Sequence, residues 1–451
     1  MTGDRLVIIG AGPTGLGAAH RLRELGCDAW VLLEASDGVG GLARSYLDEA
    51  GFTYDIGGHV IFSHYPYVDR LLDGLLGDDH TTIRRSAWIR MRQRHIPYPF
   101  QNHFGGLDAP TVYECLRGLV GAHVNAAGSP PRPRHFADWI DATFGDGIAR
   151  HFMRPYNAKV WATPLHEMAY QWIGERVSVV DVDAALRHVV LGDGDLDWGP
   201  NSTFRYPARE GTGYLYTRLA RPLTAQIRLH SPVVRVEPER RVVHTADGAA
   251  RRYGLLLSTM PMDDLVRCCD GAPPHVRAAA RRLAATGTHV VGVGLDRPVP
   301  SERTWVYYPE PDVPFHRVTL LSNYSPRMTA RPDQSLLLAE LSVSRHRPVD
   351  AGAVVASVLR GMERVGLLRA GERPATTWHC LREKSHPVPT LDRDAALAAI
   401  EPWLAGHGIS SRGRMGAWRY EIGNMDHALM QGAQWAERAL TGGREDVWER
   451  N

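Results

Sequence analysis

Lysine is nearly missing from this chain: of 52 basic residues only Lys159 and Lys384 are lysine, and the other fifty are arginine. That imbalance reads as codon bias in a GC-rich genome and carries little chemistry. Net charge is also small, +2 with 50 acidic residues, so there is no basic field for nucleic acid or for an anionic membrane surface. Any anion site has to be built from local arginines. No apolar run approaches the length of a membrane span, and the opening residues lead straight into a strand without a signal-like segment, so the expected location is cytoplasmic. Cysteine is scarce too. Cys27, Cys115, Cys268, Cys269 and Cys380 are odd in number and lack metal-ligand spacing, which predicts reduced, mostly buried thiols and no metal site. What remains is ordinary globular composition, 44% hydrophobic and 23% charged over 451 residues, enough for two or three domains.

Residues 6–17 read LVIIGAGPTGLG: four apolar strand formers, a turn with Gly10, Gly12 and Gly15, and a helix-favouring run that stops at Gly26. In a strand–turn–helix of this kind the first glycine makes the turn and the second lets a pyrophosphate approach the helix N–H groups. The third lets helix pack on strand. The next apolar run, residues 29–33, ends in Glu34, where a carboxylate accepts hydrogen bonds from a ribose 2′-hydroxyl. A bare glycine turn is unspecific, but with this strand, helix and acid it predicts a dinucleotide site. A second glycine-rich turn, Gly38, Gly40, Gly41 and Leu42, points to FAD rather than to a nicotinamide dehydrogenase.

Residues 51–65, GFTYDIGGHVIFSHY, open at Gly57 and Gly58 into a loop with almost no side chain until His59. Such a loop lies flat against a planar ring and sets His59 at its edge. An isolated histidine is more often core or solvated, and His64 is read as structural. Residues 81–104 alternate and end in PYPFQN, which predicts paired strands and an aromatic turn kept out of helix by its prolines. A helical block over about 107–190 follows, broken at residues 128–134 (GSPPRPR), with Phe136, Trp139, Ile140, Ile148 and Phe152 at core spacing. Strands at 233–237, 241–245 and 255–258 are expected to re-enter the nucleotide-binding sheet, which makes the helical block an insertion. Segments 289–295, 305–308, 318–322 and 336–343 predict a mostly antiparallel set. The chain closes with a strand and a helix over 428–440, whose N-terminus would polarise the pyrimidine side of a flavin.

The fold class expected is therefore α/β, a Rossmann-like FAD-binding domain (1–80, 201–288, 388–451) with an inserted helical domain (105–200) and an antiparallel sheet domain (81–104, 289–387).

The runs GAGPTGLGAAHRL, YDIGGHVIFSHY, PYPFQN, FMRPYNAKVWA, GERV, WVYYPEPDVPFHRVT, SNYSP and SRGRMGAWRYEIGNMDHALMQG extend to residue 432. Together they resemble the UDP-galactopyranose mutase family of the eukaryotic type. The resemblance implies a redox-neutral ring contraction of a nucleoside-diphosphate hexopyranose to the furanose, through a covalent adduct with N5 of reduced FAD. It also implies NAD(P)H as priming reductant, with Arg85 at a matching position. His59, Arg176 and Arg317 match catalytic positions, the arginines facing the diphosphate. Tyr307 and Tyr420 match hydroxyl donors to the phosphates. Tyr98, Phe100, Gln101, Phe152, Asn157 and Trp161 match nucleobase- and cofactor-facing positions, while Asn201, Trp305 and His386 complete the substrate set. The cofactor set implied is Gly10, Gly12, Gly15, Glu34, Gly41, Leu42, Gly57, Gly58, His59, Val233, Arg414, Gly423, Asn424 and Met425.

Three positions depart from that family. His386 stands where it has a tyrosine, Asp197 where it has asparagine, and Ala158 where it has phenylalanine beside Asn157. They leave UDP-galactopyranose as the default substrate and a GDP-linked hexose as the alternative, since a smaller residue could enlarge the base pocket. A flavin amine oxidase or desaturase shares the logic of the first sixty residues, but has no use for paired arginines and phosphate-directed tyrosines. A non-enzymatic flavin module would not need so many filled site positions.

Overall fold

The computed structural model describes residues 6–128, 132–174, 177, 179, 181–192 and 202–449. Arg176, Asp197 and Asn201 lie outside the described residues. Among the described residues no helix is long and apolar enough to cross a membrane.

Two sheets organise the α/β fold. The first is parallel, in the order Ile409–Ser411, Leu255–Ser258, Leu6–Ile9, Trp30–Leu33, Ile227–Arg228. Its LVII and WVLL strands are buried at every position, as apolar runs must be in a parallel sheet covered on both faces. Helix Pro13–Glu24 packs on the closing helix Met425–Thr441, and small residues let them meet: a Cβ on Gly432 would stand 2.0 Å from the Thr14 carbonyl oxygen.

Of the three strands expected to re-enter this sheet, only Leu255–Ser258 does. Val233–Glu237 and Val242–Thr245 pair with each other and with Ala250–Arg252 in a separate antiparallel sheet. Short turns join them, and strands joined by a short turn run antiparallel, whereas entering a parallel sheet needs a crossover.

The second sheet runs Thr376–Pro387, Ala285–Leu295, Ser335–Val343, Arg317–Leu320, Trp305–Tyr307, Ala87–Met91, Arg94–Pro97. It is antiparallel except where Trp305–Tyr307 and Ala87–Met91 run parallel. The strand period of two sorts its side chains. Val306, Val318, Leu320, Leu337, Ala339 and Leu341 join a core with Val354, Val358 and Met362 of helix Val354–Arg364. Trp305, Tyr307, Leu336 and Leu338 join the opposite core, shared with the helical layer. Arg317 and Glu340 alternate with the first set and so share the face of Tyr307.

The strand Thr376–Pro387 is not predicted by its polar sequence; it is an edge strand with only Ser385 and Pro387 buried. His80–Arg84 stays out of the large sheet and pairs with Thr203–Pro207. Phe100–His103 forms a helical turn after Pro99, because proline restrains itself and its predecessor but not the residues that follow. The helical layer consists of Ala109–Gly128, Phe136–Ile148, Arg154–Trp161 and Val182–Leu191. Phe136, Ile140, Ile148 and Phe152 are buried there, each contributing about 1.5–3 kcal/mol of apolar burial, and Trp139 is half-buried.

Candidate functional site

At the end of the first strand Gly10 has φ +97°, and a Cβ on it would lie 2.2 Å from Thr259 Oγ1; one on Gly15 would lie 1.9 Å from the Gly10 carbonyl oxygen. Gly12 is different. A Cβ on it would meet only the Gly41 Cα, at 3.9 Å, so the two glycine turns face each other with no side chain between them. Gly12 is also the N-cap of Pro13–Glu24 and offers no side-chain cap, which leaves the helix N–H groups for an anion. Glu34 ends the neighbouring strand, accepting hydrogen bonds from Ala11 N (2.7 Å) and from Ser36 N and Oγ. Ser231 N donates to the Glu34 carbonyl, which brings Val233 to the same end of the sheet, and Leu42 lies half-buried in the turn Gly41–Ala43.

The chain returns with Arg414, Gly423, Asn424 and Met425. Arg414 Nε donates to the Gly423 carbonyl at 2.9 Å. Gln431 ties the segment down, accepting from Gly413 N and donating to the Ile422 carbonyl, both at 2.8 Å. Asn424 is the N-cap of Met425–Thr441 and makes no side-chain cap hydrogen bond, so a second helix start is left without a side-chain acceptor.

Between these ends the Gly57–Gly58 loop presses on the inner face of the large sheet. A Cβ on Gly58 would lie 2.4 Å from Thr319 Oγ1. Gly58 N donates to Glu340 Oε1 (3.1 Å), and Arg317 Nη2 donates to the Gly58 carbonyl (3.3 Å). Arg317 and Glu340 face each other across paired strands and form a bidentate ion pair, Nε to Oε1 at 2.6 Å and Nη2 to Oε2 at 2.7 Å. Glu340 is buried, and its carboxylate holds the Arg317 pKa well above the usual value against the opposing effect of burial. Two of the three nitrogens of Arg317 are thus already oriented by Glu340.

His59 follows the loop. Its Nδ1 is buried with no hydrogen-bond partner, a state that costs about 1–3 kcal/mol and that a bound group can relieve. Burial first, then Arg414 and Arg317, lower its pKa to about 3, so the ring is neutral. The same three influences, with His59 added, lower His386 to about 3. Two facing glycine turns at a helix N-terminus, a strand-end carboxylate, an uncapped second helix and an orphaned imidazole nitrogen beside a glycine loop fit FAD.

The remaining side chains form a run of rings. Tyr98 meets Tyr307 at 4.9 Å, Tyr307 meets Tyr156 at 5.2 Å, and Tyr420 meets Trp161 at 4.8 Å and His386 at 6.0 Å. Arg85 stands over Trp305, 5.0 Å from its ring centroid. Burial raises the phenol pKa values of Tyr98 and Tyr156 and keeps both as proton donors. Phe100, Gln101 and Phe152 take a backing position instead: Phe100 is wholly enclosed, and Phe152 stacks between Phe100 (4.9 Å) and the half-buried Tyr156 (5.0 Å). Asn157 is buried and donates to its own helix at the Met153 carbonyl (2.7 Å), while Ala158 is exposed. Tyr156 and Glu340 are the residues that sequence reasoning passed over. Tyr156 lies four residues from Phe152 on one helix face, and Glu340 is a lone acid in the buried run LLLAELS.

His64, expected to be structural, is exposed at the surface and held by its neighbours. Its Nδ1 lies 2.7 Å from Asp426 Oδ2, and its ring stacks on His427, which hydrogen bonds the Tyr65 hydroxyl (2.6 Å). His64, Asp426 and His427 are the one group of ligating side chains among the described residues close enough to hold a metal ion, their ligand atoms lying within 4.8 Å of one another.

Comparison with known proteins agrees with this architecture. Residues 13–390 match the family of flavin containing amine oxidoreductases. The crystal structure of reduced UDP-galactopyranose mutase superposes with a TM-score of 0.95 at 38% identity, covering 99% of this chain and 96% of that one. Coproporphyrinogen III oxidases of Mycobacterium bovis and Mycobacterium tuberculosis are 27% identical over 316 residues, 65% of this chain and 67% of theirs. Putrescine oxidase bound to putrescine shares the fold alone, with a TM-score of 0.64 at 18% identity over 97% of this chain and 99% of that one. The chain belongs to the flavin-containing amine oxidoreductases and, within them, is a flavoprotein of the UDP-galactopyranose mutase family.

Proposed function

We propose that this protein is a nucleoside-diphosphate hexose mutase that converts a hexopyranose to the hexofuranose without net oxidation, with UDP-galactopyranose as default substrate. The observation that carries the reading is the lining of the cleft beside the Gly57–Gly58–His59 loop. There Arg317, Arg414, Tyr307, Tyr420 and Tyr98 gather cationic and hydroxyl donors, which suit a diphosphate and not a cationic amine. FAD, held by the glycine turns, Glu34 and the Arg414–Met425 segment, would supply in its reduced form a nucleophilic N5 for the anomeric carbon.

The protein's own work is binding and charge balance. Arg317, held by Glu340, offers its remaining nitrogen to the diphosphate as the bond to the anomeric carbon breaks, and Arg414 adds positive charge nearby. Tyr307 and Tyr420 donate hydroxyl hydrogen bonds. Arg176 and Asn201 are proposed to close over the substrate, and neutral His59 accepts or donates at the flavin edge. Arg85 on the Trp305 ring is proposed to meet NAD(P)H during priming.

The test is to reduce the purified yellow protein, offer UDP-galactopyranose and GDP-linked hexoses in parallel, and separate furanose products by chromatography. Furanose from a UDP sugar with catalytic reductant and no matching peroxide is the expected result. Furanose from a GDP sugar alone would move the base assignment to guanine. Amine-dependent peroxide with no furanose would replace the mutase reading by an oxidase.

A further inference from the structure

His386 occupies the cleft through a hydrogen-bond chain that fixes which of its nitrogens carries the proton. Ser385 Oγ lies 3.0 Å from the Thr286 carbonyl oxygen, which can only accept, so the single serine proton is spent there. Ser385 Oγ also lies 2.7 Å from Thr288 Oγ1 and 2.9 Å from His386 Nδ1, and with its own proton on the carbonyl it accepts from both. In that arrangement the imidazole proton is on Nδ1 and Nε2 presents a bare lone pair. Nε2 has no hydrogen-bond partner among the described residues. The edge strand slips register by two residues between Thr286 and Thr288, and His386, paired with Thr286 beside the slip, lies near Tyr420, Arg317 and Arg414.

Resting on the mutase reading, we propose that His386 is a specificity-determining residue that accepts a hydrogen bond from a hydroxyl of the hexose and does not bind the diphosphate. A phosphate oxygen carries no proton to give, and a lone pair aimed at it repels it. A sugar hydroxyl has the proton that Nε2 needs. Burial and the two arginines keep the ring neutral through the working pH range, which holds it in this acceptor state. Where related mutases carry a phenol that can donate, this corner of the cleft has changed sign. Ser385 is the positioning residue, since it sets the tautomer without touching the substrate.

The test uses reduced holoenzyme, the sugar nucleotide it accepts and the 2-, 3- and 6-deoxy analogues of that sugar, with wild type, His386→Phe and His386→Tyr. In wild type one deoxy position is expected to lower kcat/KM about tenfold, the scale of one hydrogen bond. In His386→Phe the same deletion adds no further loss, and the free nucleoside diphosphate binds both proteins within about twofold. Nitrogen NMR of labelled protein, with His386 identified by its absence in His386→Phe, is expected to show Nδ1 protonated and Nε2 bare, an assignment lost in Ser385→Ala. A protonated Nε2, equal deoxy penalties in wild type and His386→Phe, or a fall in diphosphate affinity matching that of the sugar nucleotide would overturn the assignment while leaving the mutase reading in place. Failure of every nucleotide sugar to bind, with the flavin intact, would remove both.

Discussion

The two ends of this site are built on opposite principles. The proposed dinucleotide end is made of backbone: Gly10, Gly12, Gly15 and Gly41 leave room, the helix start has no side-chain cap, and a single carboxylate, Glu34, stands at the strand end. The cleft end is made of side chains brought from five separate stretches of the chain, with Tyr98, Tyr156, Tyr307, Arg317, His386 and Tyr420 meeting above one face of a sheet. A backbone site tolerates no added atoms. A side-chain site tolerates substitution but depends on partners that orient each group, and that difference orders the expected effects.

The largest lies at the backbone end. Gly15→Val places carbon where the Gly10 carbonyl oxygen stands 1.9 Å from an ideal Cβ. The turn cannot hold its shape, and the protein is expected to purify colourless, with no flavin absorbance. A yellow Gly15→Val protein would mean that the turn does not carry the cofactor.

At the cleft end the matching experiment removes an orienting group. Glu340→Ala strands the half-buried Arg317 guanidinium, a loss of up to about 3 kcal/mol, the lower end of the scale for a broken buried pair, and also releases Gly58. Urea unfolding should show that drop, and turnover should fall about 10²- to 10³-fold because a donor to developing charge is misplaced. Unchanged stability would show that Arg317 is solvated and that the cleft is less enclosed than its contacts imply.

The contrast also explains how much was legible in the sequence. The dinucleotide turn could be read because its glycines, strand and helix lie within thirty residues and each glycine has a local reason. The Gly57–Gly58 loop could be read for the same reason. The cleft could be named only by resemblance: periodicity placed Phe152 in the core, where it lies, but only the three-dimensional stack shows Tyr156, on the same helix face, standing in front of it. Glu340 left a signal, a lone acid in a buried apolar strand, whose meaning required its register partner Arg317. The strand that carries His386 hid behind its polar residues, and the register slip beside His386 has no sequence signature. Strands 233–237 and 242–245 were misplaced because a local pattern does not say which sheet a hairpin joins.

Acid sharpens the comparison further, because the ionisable groups held neutral in the cleft have no counterpart among the glycines. His59 and His386 are each lowered to about 3 from an ordinary value near 6.5. Between those values the unfolded chain binds protons that the folded chain does not, so stability is full above about pH 6.5 and falls as the pH drops toward 3. The melting temperature should decrease between pH 7 and pH 5, and His386→Phe should lessen the decrease. A melting temperature flat over that range would mean that both rings protonate in place.

The smallest expected effect falls on the support of the cleft rather than on its surface. Lys159, one of the two lysines, is buried, and its ammonium donates to the carbonyls of Tyr308 (2.8 Å), Glu310 (2.7 Å) and Val313 (2.9 Å). It therefore ties helix Arg154–Trp161, which carries Tyr156, to the loop between Tyr307 and Arg317. Lys159→Met keeps most of the apolar stem but leaves three carbonyls without their donor, a loss of about 1–3 kcal/mol if they stay dry. Because the lysine touches only backbone, the change should lower the melting temperature and raise KM through a looser Tyr156–Tyr307 contact, with the flavin spectrum unaltered. Loss of flavin instead would show that the two ends of the site are one cooperative unit, and the division drawn between backbone and side-chain construction would fail.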